Sequence, residues 1–245
     1  MARSVVLFSI DGLRADALQE AETPYIDRLI EVGAHTYAAR SVMPSVTLPC
    51  HMSMFRGVGP ERHGITTNTW MPQVRPIPSI IDAVHAVGKT AVSFYNWEEL
   101  RDLSDPGSLA LSCYLRNCYE PEGDLELAEV AASHLGCRSF DFAFVYLGHT
   151  DVTGHDHGWM SAEYLAAEET ACIVTSDHGG HAQTHGTDMD DDMTIPWVIC
   201  GGGAPQGRKI ERDVCIIDNP PTIAALLGLE VHRDWAGAVI DEVAS

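Results

Sequence analysis

In Ala171-Cys172-Ile173-Val174-Thr175-Ser176-Asp177-His178-Gly179-Gly180-His181-Ala182-Gln183-Thr184-His185-Gly186, a short apolar run gives way to an acid, three histidines and three glycines. Residues 171–175 predict a buried strand, and 176–186 the glycine-rich loop at its carboxyl end. In open α/β sheets that edge is where ligands bind. A carboxylate oxygen beside neutral imidazole nitrogens suits zinc, with manganese the next choice among divalent ions.

Working outward, other strand ends carry the same kind of chemistry. Val5–Ile10 is a continuous apolar run, as in the middle of a parallel sheet, and it stops at Asp11-Gly12. Residues 140–147 predict another buried strand. The loop expected after it, 148–158, holds Asp151 and His155 four residues apart. Further strands are predicted at 90–94, 109–115 and 195–200, with a strand pair or edge strand over 208–217. Helices are predicted at 24–33, from Thr47, at 78–87, 124–135 and 220–227; Pro at the starts and Gly at the stops mark them. Strands alternating with helices predict an α/β fold. The expectation is a mostly parallel central sheet with helices on both faces, in a single domain spanning 1–245.

The apolar share of 45% and charged share of 20% are ordinary for a globular chain, but the formal charge of −20 is not. Such a balance repels polyphosphate partners, so no nucleic acid polymer is expected. The run Asp188, Asp190, Asp191, Asp192 reads as a solvated acidic loop. No apolar stretch approaches the roughly 18 residues that span a bilayer, and no membrane contact is expected. The opening apolar run is too short for a signal segment, so a cytoplasmic location is expected. Seven scattered cysteines without a CxxC pair fit free thiols better than disulfides or a zinc ribbon.

Taken in order, Ser9-Ile10-Asp11-Gly12, Thr47-Leu48-Pro49-Cys50-His51, Asp151-x-x-x-His155, Ser176-Asp177-His178-Gly179 and His185-Gly186 resemble the motifs of the alkaline phosphatase superfamily. The resemblance is to its type I phosphodiesterase/nucleotide pyrophosphatase branch. It implies two divalent metal ions, zinc first and manganese second. Asp151, His155 and His185 would form one site, and Asp11, Thr47, Asp177 and His178 the other. It also turns Thr47, on local sequence alone a helix-capping residue, into the nucleophile of a phosphothreonine mechanism. A small phosphate ester, diester or monoester, is the implied substrate. His63, His149, His157 and His181 are expected to stay outside both metal sets.

Two departures qualify the resemblance. Cys50 stands where that branch commonly has an asparagine, three places after the nucleophile. The connection between 158 and 171 leaves room for a helix of only about two turns. Part of the sheet is then expected to be covered by a second copy, as a homodimer, or else segment 160–170 is mobile and holds the metals loosely. Competing readings are a sulfatase-like esterase, which lacks the Cys/Ser-x-Pro-x-Arg setting here, and a catalytically silent metal-binding relative.

Overall fold

The computed structural model describes residues 3–137, 139–165, 173–201 and 204–244. Eight strands run in chain order as β1 Val5–Ile10, β2 Ala34–Arg40, β3 Ala91–Tyr95, β4 Leu111–Tyr114, β5 Phe142–Leu147, β6 Ile173–Thr175, β7 Thr194–Ile199 and β8 Arg208–Lys209. They form one sheet in the order β4-β3-β5-β1-β6-β7-β2-β8. β7 is antiparallel to both β6 and β2, and every other neighbouring pair is parallel. The expected mostly parallel sheet is what forms.

The helices are α1 Ala15–Glu20, α2 Pro24–Val32, α3 Thr47–Arg56, α4 Pro60–His63, α5 Ile80–Ala86, α6 Gly123–Cys137, α7 His149–His157, α8 Ala162–Leu165, α9 Asp190–Met193 and α10 Asn219–Leu227. They cover both faces, because the central strands are apolar on both sides. Leu7, Phe142, Phe144 and Trp197 pack with α3, α5 and α10 on one face. Ile10, Val145, Leu147 and Val174 pack with α1, α2 and α6 on the other. α3 is buried along its whole length, and the edge of Phe55 meets Phe144 at 4.7 Å between ring centres.

The structure departs from the sequence reading in several places, the short helices α4 and α9 among them. β2 and α1 were not foreseen, since the small and polar residues of Ala34–Arg40 lack a clean strand signature. The predicted strand pair over 208–217 reduces to β8 and one bridge between Arg40 and Cys215. The loop predicted after β5 is instead α7. Its glycine, threonines and histidines are poor helix formers, so tertiary contacts must decide. The Asp124 carboxylate on α6 supplies them by accepting the backbone N–H groups of Gly148 and His149 at 3.0 and 2.9 Å. In the shortened connection, α8 occupies Ala162–Leu165, while 166–172, including Ala171 and Cys172 of the predicted strand, lie outside the described residues.

Where the connection is described, it packs well. Tyr164 is buried, accepts the backbone N–H of Arg14 at 2.9 Å, and donates to the Gly12 carbonyl at 2.8 Å. Trp159 donates to the same carbonyl at 2.9 Å. None of the described helices is long and apolar enough to cross a membrane.

Candidate active site

β1 lies between β5 and β6, and these three strands point their carboxyl ends to the same edge. β2, antiparallel to the strand that is itself antiparallel to β6, ends at that edge too. Four crossovers therefore deliver side chains to one place: Asp11 after β1, Thr47 after β2, Asp151 and His155 on α7 after β5, and Asp177, His178 and His185 after β6. Gly12 makes the close approach workable. Its φ of +70° is the left-handed conformation, and a Cβ there would sit 3.0 Å from Asp151 Oδ1.

Thr47 opens α3, is 4% exposed, and holds its Oγ1 3.3 Å from His178 Nε2. The N-cap of the helix is Val46, and the Thr47 hydroxyl is turned to His178 rather than to the backbone of the first turn. The helix is tied to β1 through His51, whose Nδ1–H donates to the Thr47 carbonyl at 2.8 Å while Ser9 Oγ donates to its Nε2 at 3.0 Å.

Three histidines share one pattern. Each gives its Nδ1–H to a backbone carbonyl: His178 to Gly179 at 2.8 Å, His185 to Ser45 at 2.8 Å, and His155 to Gln183 at 3.0 Å. That bond leaves the Nε2 lone pair free, and in each case Nε2 is turned to a carboxylate. His178 Nε2 lies 3.3 Å from Asp11 Oδ1 and 3.4 Å from Asp177 Oδ2. His155 Nε2 is 3.5 Å from Asp151 Oδ2, and His185 Nε2 is 3.8 Å from Asp151 Oδ1. The rings of His178 and His185 stack, with centres 3.8 Å apart.

The carboxylates are short of partners. Asp11 Oδ1, Asp151 Oδ1 and Asp177 Oδ2 are buried without a hydrogen bond. Asp177 Oδ1 accepts from Gly12 N at 3.2 Å, and Asp11 Oδ2 accepts from the Tyr146 hydroxyl. Burial, and then mutual repulsion, pushes the Asp11 carboxyl well above its usual range. Burial first also raises Asp151, and raises Asp177 to about 7. Three buried acids crowded together, with oxygens that no protein donor reaches, are arranged as a cation would require. Carboxylate and imidazole donors are what zinc or manganese takes. Asp151, His155 and His185 bring ligand atoms within 4.8 Å of one another, as do Asp11, Asp151 and His178. Asp151 thus stands between the two expected sets, whereas Asp177 reaches the second through its neighbour His178.

Four contributors were not read from the sequence. Tyr146, on β5, holds Asp11 through its hydroxyl. Asn68 accepts the Leu48 backbone N–H at 2.9 Å and lines the cavity beside Thr47. Its amide nitrogen donates to no described residue. Because Leu48 N–H is taken and Pro49 has none, the first turn of α3 has fewer free backbone donors than its position suggests. Asp124 holds the start of α7, as described above. Asp192 belongs to the run read as solvated, yet it is fully buried. It accepts His181 Nδ1–H at 2.7 Å and both Thr187 donors, at 2.8 and 2.7 Å, and so pins the 181–187 loop that carries His185. A lone acid buried inside an acidic run has no sequence signal to mark it.

Cys50, singled out as a departure, does not face the cavity. It is fully buried, its thiol lies 3.2 Å from Ser41 Oγ, and burial pushes its pKa up. His63 pairs with Ser53 Oγ at 2.9 Å, away from the cluster. His181 is held by Asp192. The six described cysteines are free.

The cavity over this cluster has a volume of about 530 Å³ and is lined by Asp11, Thr47, Asn68, Asp151, His155 and His185, with an outer wall from the loops after β3 and β4.

Residues 5–78, which include Asp11, Thr47 and Asn68, match the family described as type I phosphodiesterase / nucleotide pyrophosphatase. Ectonucleotide pyrophosphatase/phosphodiesterase family member 3 of Mus musculus is 42% identical over 66 residues, 26% of this chain and 8% of that protein. Family member 1 of Rattus norvegicus is 29% identical over 180 residues, 66% of this chain and 20% of that protein. The chain therefore spans a fifth or less of the length of these relatives. Human ectonucleotide pyrophosphatase / phosphodiesterase 5 shares the fold with a TM-score of 0.78 at 15% identity, over 99% of this chain and 100% of that structure. Over its first third the chain is similar to the type I phosphodiesterase / nucleotide pyrophosphatase family, and as a whole it has the fold of human ectonucleotide pyrophosphatase / phosphodiesterase 5.

Proposed function

We propose that this protein is a metal-dependent hydrolase of phosphoric esters that works through a covalent intermediate on Thr47. The observation that carries this reading is the shared orientation of His155, His178 and His185. Each has Nδ1 tied to a carbonyl and Nε2 turned to a carboxylate, for His178 and His185 to oxygens that lack partners, beside a buried hydroxyl that lines the cavity. Asp151, His155 and His185 would hold one divalent ion, and Asp11, Thr47, Asp177 and His178 a second, with zinc the best match and manganese the alternative. Bound divalent ions would supply the positive charge that makes the threonine hydroxyl acidic enough to attack and water reactive enough to hydrolyse the product.

The chain's own part in the chemistry follows from its geometry. Thr47 Oγ1 attacks phosphorus, its bond to phosphorus forms as the bond to the leaving oxygen breaks, and a phosphothreonine remains. Water then cleaves that phosphoester and returns the hydroxyl. Asn68 donates its amide N–H to a non-bridging oxygen. Tyr146 keeps Asp11 in place, and His51 holds the first turn of α3 against β1. A small phosphate ester fits the cavity's size.

The sulfatase-like alternative needs a processed Cys or Ser at the reacting position; Cys50 is buried against Ser41, and Thr47 lines the cavity. Turnover of 4-nitrophenyl phosphate and bis(4-nitrophenyl) phosphate with added zinc or manganese tests the proposal. Thr47→Ala should lower the rate by at least about 10³-fold, because the nucleophile is gone. It should keep the native circular dichroism spectrum, because the hydroxyl is turned to His178 rather than to the helix backbone. Thr47→Ser should retain part of the activity. A Thr47→Ala protein with near-normal rates would refute the covalent mechanism.

A further inference from the structure

Asp151 and His155 stand on α7, after β5, while His185 stands on the loop after β6. β1 lies between those two strands, so no sheet pairing sets the distance between the segments. The buried set has that help, because Asp11 and the pair Asp177 and His178 follow β1 and β6, which pair directly. Trp159, two residues past the end of α7, joins the split set instead. It is 7% exposed and does not line the cavity.

The indole meets Gly154 of α7 and Gly180 of the loop. A Cβ would lie 2.6 Å from its Cε2 at the first and 2.2 Å at the second. Neither glycine has a left-handed φ, so glycine is needed there as room for the ring and not for backbone freedom. The ring also stands edge-on to both imidazoles of the set, with centres 5.0 Å from His155 and 6.0 Å from His185. The Trp159 backbone N–H donates to the Ala182 carbonyl at 2.9 Å, and Nε1–H to the carbonyl of Gly12, beside Asp11, also at 2.9 Å. Gln183 closes the same seam by donating its amide N–H to the Asp156 carbonyl at 3.0 Å.

We propose that Trp159 is the positioning residue of the Asp151, His155 and His185 set, a rigid spacer that fixes α7 at the right distance from the loop for their imidazoles to reach one ion. A ligand set split between two elements binds only after the elements are brought to the ligand spacing, and a ring packed between them beforehand removes that cost. The proposal rests on the two-ion reading above and concerns how this chain shapes one of its two sites.

Calorimetric titration of zinc into metal-free protein tests it. Trp159→Leu leaves the gap open and should weaken the ion held by the exposed set about 10- to 100-fold, with the other ion unchanged. Trp159→Phe keeps a ring but loses the bond to Gly12, and should weaken the same ion about fivefold. With His155→Ala in the same chain the losses should overlap, because both changes act on one ion. Unchanged binding of both ions, equal losses at both, or losses that multiply with His155→Ala would overturn the proposal. Should Trp159→Leu lack the native circular dichroism spectrum, Trp159→Phe decides alone by the same outcomes. If the parent hydrolyses the two nitrophenyl esters but the zinc pattern is absent, the hydrolase reading stands and the positioning role fails. If neither ester turns over but the pattern is found, the positioning role stands and the hydrolase reading fails.

Discussion

The two halves of the candidate metal centre are built differently. Asp11, Asp177 and His178 follow directly on central strands and are almost wholly buried, with Asp177 and His178 at 0% exposure. Asp151, His155 and His185 sit on a nine-residue helix of poor formers and on a loop, and His155 is exposed. The first half borrows its precision from the sheet; the second depends on side chains brought from elsewhere, Asp124 for α7 and Asp192 for the loop. The buried half should therefore define the site, and the exposed half should set how easily an ion enters and leaves.

The sharpest way to break this comparison is to remove one histidine from each half. His178→Ala should cost at least about 10³-fold in turnover, not recovered by excess zinc, because no other ligand can reach into the packed sheet edge. His155→Ala should cost about 10- to 100-fold and be largely recovered at high zinc, since water can take an exposed position. Rates measured across a zinc titration decide; equal losses with equal rescue would mean that the halves are not distinct.

Next in size is the effect of metal itself on stability. Saturating zinc, at about 100 times its dissociation constant, should stabilise the fold by about 2.7 kcal/mol per site. Asp177→Asn keeps the hydrogen bond from Gly12 N and removes one crowded charge. Thermal unfolding should show this variant more stable than the parent without metal, by about 1–2 kcal/mol, and gaining less from zinc. A variant less stable than the parent under chelation would show that the crowded carboxylates are not a strain on the empty site.

Smaller effects should come from the supports. Tyr146→Phe removes the hydroxyl that Asp11 accepts and should lower turnover about tenfold with little change in unfolding temperature. Asp192→Asn, on the exposed side, cannot accept all three bonds with equal strength. It should cost about 1–3 kcal/mol of stability and raise the zinc requirement more than it lowers the saturated rate. If Tyr146→Phe instead raised the zinc requirement and Asp192→Asn cut only the saturated rate, the division of labour between the halves would be reversed.

How much of this was legible beforehand varies with the residue. Val5–Ile10 and Phe142–Leu147 announce themselves as continuous apolar runs because strands buried on both faces have no polar side to show. The acids and histidines that follow them are visible for the same reason: polar chemistry directly after a buried strand stands out. Ala34–Arg40 does not announce itself, since its pairing with β7 buries only small and mixed side chains and leaves a bulge between Thr36 and Ala39. α7 was hidden because its own residues disfavour a helix, and the carboxylate that starts it is on α6, far away in sequence. Cys50 was legible as a position in a motif but not as a direction; only the packing of α3 turns it toward Ser41 and leaves Asn68 at the cavity.

The sequence by itself determined the α/β class and the strands of the sheet centre, while its resemblance to a known family is what marks Asp11, Thr47, Asp151, His155, Asp177, His178 and His185 as candidates. Class and central strands are properties of local composition and order, which hydrophobic periodicity reveals without coordinates. Only the tertiary structure decided which nitrogen of each histidine faces the carboxylates, which acids are left without partners, and that Tyr146, Asn68, Asp124 and Asp192 belong to the site. Those are facts about contacts between segments distant along the chain, and a buried donor or acceptor takes its role from whatever the fold places opposite it.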